Sequence, residues 1–122
     1  MFNLFDEEPI HLNLPDAEFI YYPNFISKEK ADLLSETPWQ HDEITIFGKK
    51  IAQPRLTSLY GNDGKSYGYS NIIMQPHPFN STLMFIKEEI ENKVKEHFTT
   101  VLLNLYRNEK DSNGWHADNE KE

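Results

Sequence analysis

In the run Asn113–Glu120 (NGWHADNE), His116 and Asp118 stand two residues apart. On an extended backbone, side chains at that spacing point to the same face. A neutral imidazole beside a carboxylate suits iron(II), whose facial triad is two histidines and one carboxylate. Such triplets are common by chance, and ordinary surface polarity is the simpler account of this one taken alone. A third ligand has to come from elsewhere. Upstream, Asn104 and Tyr106 repeat the two-residue spacing within the apolar run Val101–Arg107 (VLLNLYR). An amide and a phenol projecting together could hold a carboxylate-bearing cosubstrate. Tyr106 by itself reads more plainly as a ring in the core with its hydroxyl at the rim.

The chain that must position these groups has 122 residues, of which 38% are hydrophobic and 13% aromatic. That predicts a single domain with a core and excludes a disordered chain. No apolar run approaches the roughly 20 residues of a membrane span. The start, MFNLFDEEPI, lacks the basic residues and long apolar stretch of a signal peptide. Without cysteine, a disulfide framework and a thiolate metal site are both excluded, and a cytoplasmic protein is the expectation. The net charge of −8 argues against a nucleic-acid partner until its distribution is considered. Residues 1–43 hold two lysines and ten acidic residues, whereas residues 44–122 hold ten of each sign. Lys49, Lys50, Arg55 and Lys65 against Asp63 make residues 44–70 locally basic.

Local patterns predict a small α+β domain. Residues 1–17 read as an irregular arm and Glu18–Tyr22 as a short strand closed by Pro23. Ser27 caps a helix to about Glu36, with Ala31 and Leu34 inward, and Pro38 ends it. Glu43–Phe47 alternates as a strand, Gly48 turns the chain, and an extended stretch from Ile51 to Tyr60 follows at hairpin distance. Gly61, Gly64 and Gly68 with Pro76 and Pro78 mark residues 61–80 as a long loop, a type that is usually functional or mobile. Ser81 to about Phe98 is the clearest helix, with Leu83, Ile86, Ile90 and Val94 on one face. Residues 101–107 form a strand, and Asn108–Gly114 a polar turn. His11, His41, His77 and His97 read as surface or loop residues, His97 being favoured by the dipole at its helix end.

The segment Asn104–Glu120 (NLYRNEKDSNGWHADNE) resembles the AlkB-type dioxygenases, which depend on iron(II) and 2-oxoglutarate and remove alkyl groups from nucleic-acid bases. Residues 46–71 (IFGKKIAQPRLTSLYGNDGKSYGYSN) resemble the nucleotide-recognition hairpin and loop of that family's DNA-repair branch. The matching pieces are Phe47-Gly48-Lys49, Pro54-Arg55, Tyr60-Gly61 and Tyr67-Gly68-Tyr69-Ser70. The resemblance runs from about Leu14 to Glu120. It implies the N-terminal part of a double-stranded β-helix (jelly-roll), with two helices and a nucleotide-recognition lid. On that resemblance the chain is one partial domain: an arm (1–17), a region of strands, helix and lid (18–80), and a helix with the first barrel strands and metal motif (81–122).

The same resemblance implies iron ligands at His116 and Asp118 and 2-oxoglutarate contacts at Asn104 and Tyr106. Tyr67 and Tyr69, with Ser70 nearby, would line the pocket for a flipped base, and Glu120 would lie beside that base. Phe47 resembles the wedge that replaces lost stacking when a base flips. Arg55 resembles the basic residue that supports the lid. The implied partner is alkylated single- or double-stranded DNA, with no membrane. Plainer readings stay open at each position. Phe47 could be hairpin core, the two tyrosines could pack the loop down, and Arg55 with the lysines could be a solvated strand face.

In this family a second histidine well downstream completes the iron site, and arginines beyond it hold the far carboxylate of 2-oxoglutarate. Four residues follow Asp118, and the other four histidines all precede the strand that builds the site. The resemblance therefore implies a chain truncated after its His-x-Asp motif, holding iron(II) and 2-oxoglutarate weakly, with an unpaired strand edge at 101–107. Three readings follow: a piece of a repair dioxygenase, half of a split enzyme completed by a second chain, or a non-catalytic module binding nucleic acid or protein through the Phe47 hairpin. In the intact reaction, 2-oxoglutarate is decarboxylated and an N-alkyl carbon is hydroxylated and leaves as an aldehyde. The chain alone is expected to show little or no dioxygenase activity. Given iron(II), 2-oxoglutarate and methylated single-stranded DNA, it should yield no more succinate than its His116→Ala variant. Robust turnover would overturn that expectation.

Overall fold

Ile10, Leu12 and Leu14 alternate with His11 and Asn13, and this two-residue period folds as strand β1 (Ile10–Leu14). The computed structural model describes residues 8–62, 64–69 and 72–116, and for Tyr67–Tyr69 the backbone alone. β1 pairs antiparallel with β2 (Ala17–Tyr21), Leu14 opposite Ala17. Proline's fixed negative φ at position 15 and the left-handed Asp16 (φ 54°) close the two-residue turn. The arm expected over residues 1–17 is thus corrected for residues 10–14. The Pro-Asp turn and the alternation carried the signal, and mixed composition obscured it. Ser27 caps α1 (Lys28–Leu34), its hydroxyl accepting from the Lys30 N–H at 3.2 Å. The expected inner face does not form, for none of the seven residues of α1 is buried.

The chain divides after Ser35, and these elements make up the first of two units. The second, Glu36–Glu122, opens with a hairpin of β3 (Glu43–Ile46) and β4 (Lys49–Ala52). Gln53-Pro54 then breaks the extended stretch expected from Ile51 to Tyr60, because proline cannot donate to a continuing ladder. β5 (Leu56–Gly61) starts afresh. It pairs antiparallel with β8 (Thr100–Leu105), Thr57 opposite Asn104 and Leu59 opposite Leu102. On its other edge Gln40 exchanges two backbone bonds with Thr57 (2.8 and 3.0 Å), and His77 bonds to Leu59 and Gly61 (2.8 and 2.9 Å). With both edges satisfied, Thr57–Gly61 are all buried.

Residues 61–80 are not one loop. Gly61 ends β5, and β6 (Tyr67–Tyr69) pairs antiparallel with β7 (Ile72–Met74) inside the region. Three glycines outweighed a β-branched pair in the sequence, yet Ile72 and Met74 are buried with Leu59, and Ile44 packs against them. α2 spans Ser81–Val94, four residues shorter than expected at its end, because Lys95 adopts a left-handed cap (φ 60°). Asn80, not Ser81, caps its start, accepting from the Leu83 N–H at 2.8 Å. Leu83 and Ile86 are buried, whereas Val94 on the same stripe is 41% exposed. The segment after α2 is gathered by Glu91, whose carboxylate takes bonds from Lys87 (3.0 Å), His97 Nδ1 (2.7 Å) and the Phe98 N–H (2.7 Å). The observed class is α+β, with two helices and antiparallel strand pairs.

Leu59 is 1% exposed at the centre of this core. Leu59→Ala should lower unfolding stability by about 2–5 kcal/mol, and Val94→Ala by under about 1 kcal/mol. Urea unfolding of both variants checks the ranking, and equal costs would place the core elsewhere.

Candidate functional site

The candidate residues that the structure describes with their side chains all lie in the second unit. Phe47 and Gly48 form the two-residue turn between β3 and β4, both with positive φ (50° and 76°). That is the type I′ geometry, which matches the right-handed twist of a hairpin and favours Asn-Gly. A phenylalanine there strains its backbone, since its Cβ crowds the carbonyl. Its ring gains nothing in return from the fold, being fully exposed (101%). The reading of Phe47 as hairpin core is thereby excluded. Lys49 and Lys50 follow directly in β4 and are exposed.

β8 alternates: Val101, Leu103 and Leu105 turn inward, while Thr100, Leu102 and Asn104 are exposed. Tyr106 is also exposed and lies one residue beyond the end of the strand. Arg55, directly before β5, donates from Nε to Asn104 Oδ1 at 3.0 Å. The structure thus joins two of the candidates directly. Opposite Asn104 across the strand pair, Thr57 Oγ1 is buried without a hydrogen-bond partner among the described residues. Such a hydroxyl costs about 1–3 kcal/mol, so a polar ligand atom or water at this position would be stabilised.

After β8 the turn is built by Asp111. Its carboxylate accepts from the Arg107 N–H (2.8 Å), Nε (2.8 Å) and Nη2 (3.0 Å). Asn108 accepts from the Lys110 and Asp111 N–H groups (2.9 and 3.1 Å), and the Ser112 N–H reaches back to the Pro54 carbonyl at 2.7 Å. The turn is therefore anchored to the residue before Arg55. In sequence, Asn108–Gly114 shows only a polar turn. The spacing of Arg107 and Asp111 was the available signal, but it does not say that the two meet. Beyond the turn, His116 is exposed and its Nδ1 lies 2.7 Å from the Gly114 carbonyl. A carbonyl only accepts, so this nitrogen carries the proton, and the neutral ring then has its lone pair on Nε2.

Asp118, Glu120 and Ser70 lie outside the described residues. The backbones of Tyr67 and Tyr69 lie in β6, opposite Met74 and Ile72. Among the described residues no three histidine, aspartate or glutamate side chains come together. An imidazole and a carboxylate at 116 and 118 have the donor chemistry for iron(II), and of the two the structure describes His116. For 2-oxoglutarate, the exposed amide and phenol of Asn104 and Tyr106, beside the orphaned Thr57 hydroxyl, offer neutral polar contacts that fit a carboxylate or keto oxygen. No helix among the described residues is long and apolar enough to cross a membrane.

The chain is 39% identical over 105 residues to the alpha-ketoglutarate-dependent dioxygenase alkB homolog 3 of Homo sapiens, covering 81% of this chain and 36% of that protein. Its counterpart in Bos taurus is 38% identical over 109 residues, covering 80% and 36%. The DNA oxidative demethylase ALKBH2 of Homo sapiens is 32% identical over 79 residues, covering 65% and 30%. The chain spans about a third of the length of the curated relatives it matches. No protein-family model matches it.

Arg107, chiefly through its side-chain bonds and then its backbone N–H, holds the Asp111 carboxyl down at about 2 from an ordinary 3.8. A carboxyl lowered in the folded state contributes stability above its ordinary value and loses it as pH falls through the folded one. The turn should therefore stay closed at pH 4 and open as pH approaches 2. In Arg107→Met, NMR titration of the Asp111 carboxyl carbon should return its midpoint to the ordinary range. A midpoint still near 2 would show that other groups hold it.

Proposed function

We propose a role in the oxidative dealkylation of nucleic-acid bases, on the premise that this chain belongs to the AlkB-type dioxygenase family. The relatives named above are a 2-oxoglutarate (alpha-ketoglutarate) dioxygenase and a DNA oxidative demethylase, which supports the reaction class. On this reading the chain contributes part of one catalytic domain built on a double-stranded β-helix, and the β3–β4 hairpin is its nucleotide-recognition lid. The observation that carries the substrate side is Phe47. A fully exposed ring on a strained turn is not explained by folding, which would favour Asn-Gly at that place.

The wedge reading accounts for it. Extruding a base costs a few kcal/mol of stacking, and an aromatic ring that enters the gap offsets part of that cost. Lys49 and Lys50, exposed beside it, meet the phosphate backbone. Tyr67 and Tyr69, with Ser70 and Glu120, would shape the pocket for the extruded base. Asn104 and Tyr106 would bind 2-oxoglutarate through its oxygens. His116 and Asp118 would hold iron(II), which with 2-oxoglutarate and oxygen supplies the oxidation of an N-alkyl carbon. The Arg107–Asp111 turn, tied to Pro54, positions the segment that carries His116.

Phe47→Asn separates the two demands. It should stabilise the hairpin by about 1 kcal/mol and weaken binding to single-stranded DNA bearing a methylated base roughly tenfold, the worth of one stacked base. Thermal unfolding and fluorescence anisotropy read the two effects. Binding equal to that of the unsubstituted chain would sink the wedge.

A further inference from the structure

An amide has a donor end and an acceptor end, and the Arg55–Asn104 bond decides which one faces Arg55. A guanidinium carries five N–H donors and no acceptor. Only Oδ1 of Asn104 can therefore face Arg55 Nε, 3.0 Å away, and the Nδ2 group is turned elsewhere. We propose that Arg55 is a positioning residue that holds Asn104 with its N–H donors presented to an acceptor oxygen of 2-oxoglutarate. The inference rests on the reading of Asn104 as a 2-oxoglutarate contact.

Three further observations support it. Arg55 does not sit on a free hairpin end, because its neighbour Pro54 is anchored by the Ser112 N–H at 2.7 Å. Gln53 before that is buried, bonded through its N–H to Asp42 (2.7 Å) and through its carbonyl to His41 Nε2 (2.8 Å). The backbone that carries the guanidinium is thus fixed on both sides of the proline. Directly opposite Asn104, the buried Thr57 hydroxyl lacks a partner among the described residues, which marks this register position as one where a further polar atom is wanted. With Oδ1 turned toward Arg55, the Nδ2 donors of Asn104 suit keto and carboxylate oxygens.

The test is NMR on the 15N-labelled chain, following the Asn104 side-chain amide and the Arg55 Nε–H during titration with 2-oxoglutarate and iron(II) under argon. Arg55→Met removes the donor and keeps the aliphatic stem. It should move the Asn104 amide signals to those of a solvated asparagine and weaken 2-oxoglutarate binding roughly three- to tenfold, the worth of one net hydrogen bond. The melting temperature should fall by no more than a few degrees, so the chain stays folded. Arg55→Lys retains donors without an acceptor and should recover most of the binding. Asn104→Asp keeps an acceptor for Arg55 but strips the donors, so it should fold and lose binding. Unchanged binding in Arg55→Met, or binding that survives Asn104→Asp, overturns this inference and leaves the cosubstrate reading standing. No binding to the unsubstituted chain, with its Asn104 amide signals ordered, overturns the cosubstrate reading and this inference with it.

Discussion

On the edge of β5 away from β8, Gln40 meets the N–H and C=O of Thr57, and His77 meets the Leu59 C=O and the Gly61 N–H. Strand β5 is thereby paired on both edges, which is the condition for burying it. A buried backbone group without a partner costs as much as a lost hydrogen bond, so neither edge can be given up cheaply. Once β5 is inside, its register with β8 follows, and with it the placement of Asn104 opposite Thr57. The rest of the candidate site hangs from this pair. Arg55 enters β5, and Tyr106 and the Asp111 turn leave β8.

The junction Gln53–Arg55 converts that core into a platform. Proline interrupts the ladder, so the chain leaves the β3–β4 hairpin and begins β5 as a separate strand. At this break the free Pro54 carbonyl accepts from Ser112, which closes the turn that follows β8 onto the start of β5. The hairpin bearing Phe47, the amide of Asn104 and the segment leading to His116 are consequently joined through three consecutive residues. Rigid support of this kind is what a binding constellation requires, since errors of an ångström are costly in recognition.

Two local features run against stability. Phe47 holds a left-handed backbone with its ring in solvent, and Thr57 buries a hydroxyl without a partner among the described residues. Both conflict with what folding alone would select, and such conflicts cluster where a protein binds or reacts. One lies at the hairpin tip and the other beneath Asn104. The proposed DNA contact and the proposed cosubstrate contact account for them separately. In the proposed reading the reaction class comes from the family, and these two residues mark where substrate and cosubstrate would meet the chain.

Local chemistry was legible wherever neighbours in sequence suffice. Ser27 as a cap, the turn of the chain at Gly48, and the apolar face of α2 over Leu83 and Ile86 all depend on residues a few positions apart. Errors arose where composition masked a period, as in the alternation from Ile10 to Leu14, or where glycines outweighed the apolar residues of β7. α2 stops at Val94, short of Phe98, because Lys95 adopts a left-handed cap, which a lysine seldom signals. Pairing over long separations was not legible at all. Arg55 and Asn104 lie 49 residues apart, and only the register of β5 with β8 brings the guanidinium to the amide. The sequence by itself determined which groups were available for chemistry, because periodicity and motif spacing are properties of adjacent residues. The tertiary structure decided which groups meet and which end of the Asn104 amide faces Arg55, because edge pairing and donor–acceptor matching exist only once distant segments are in contact.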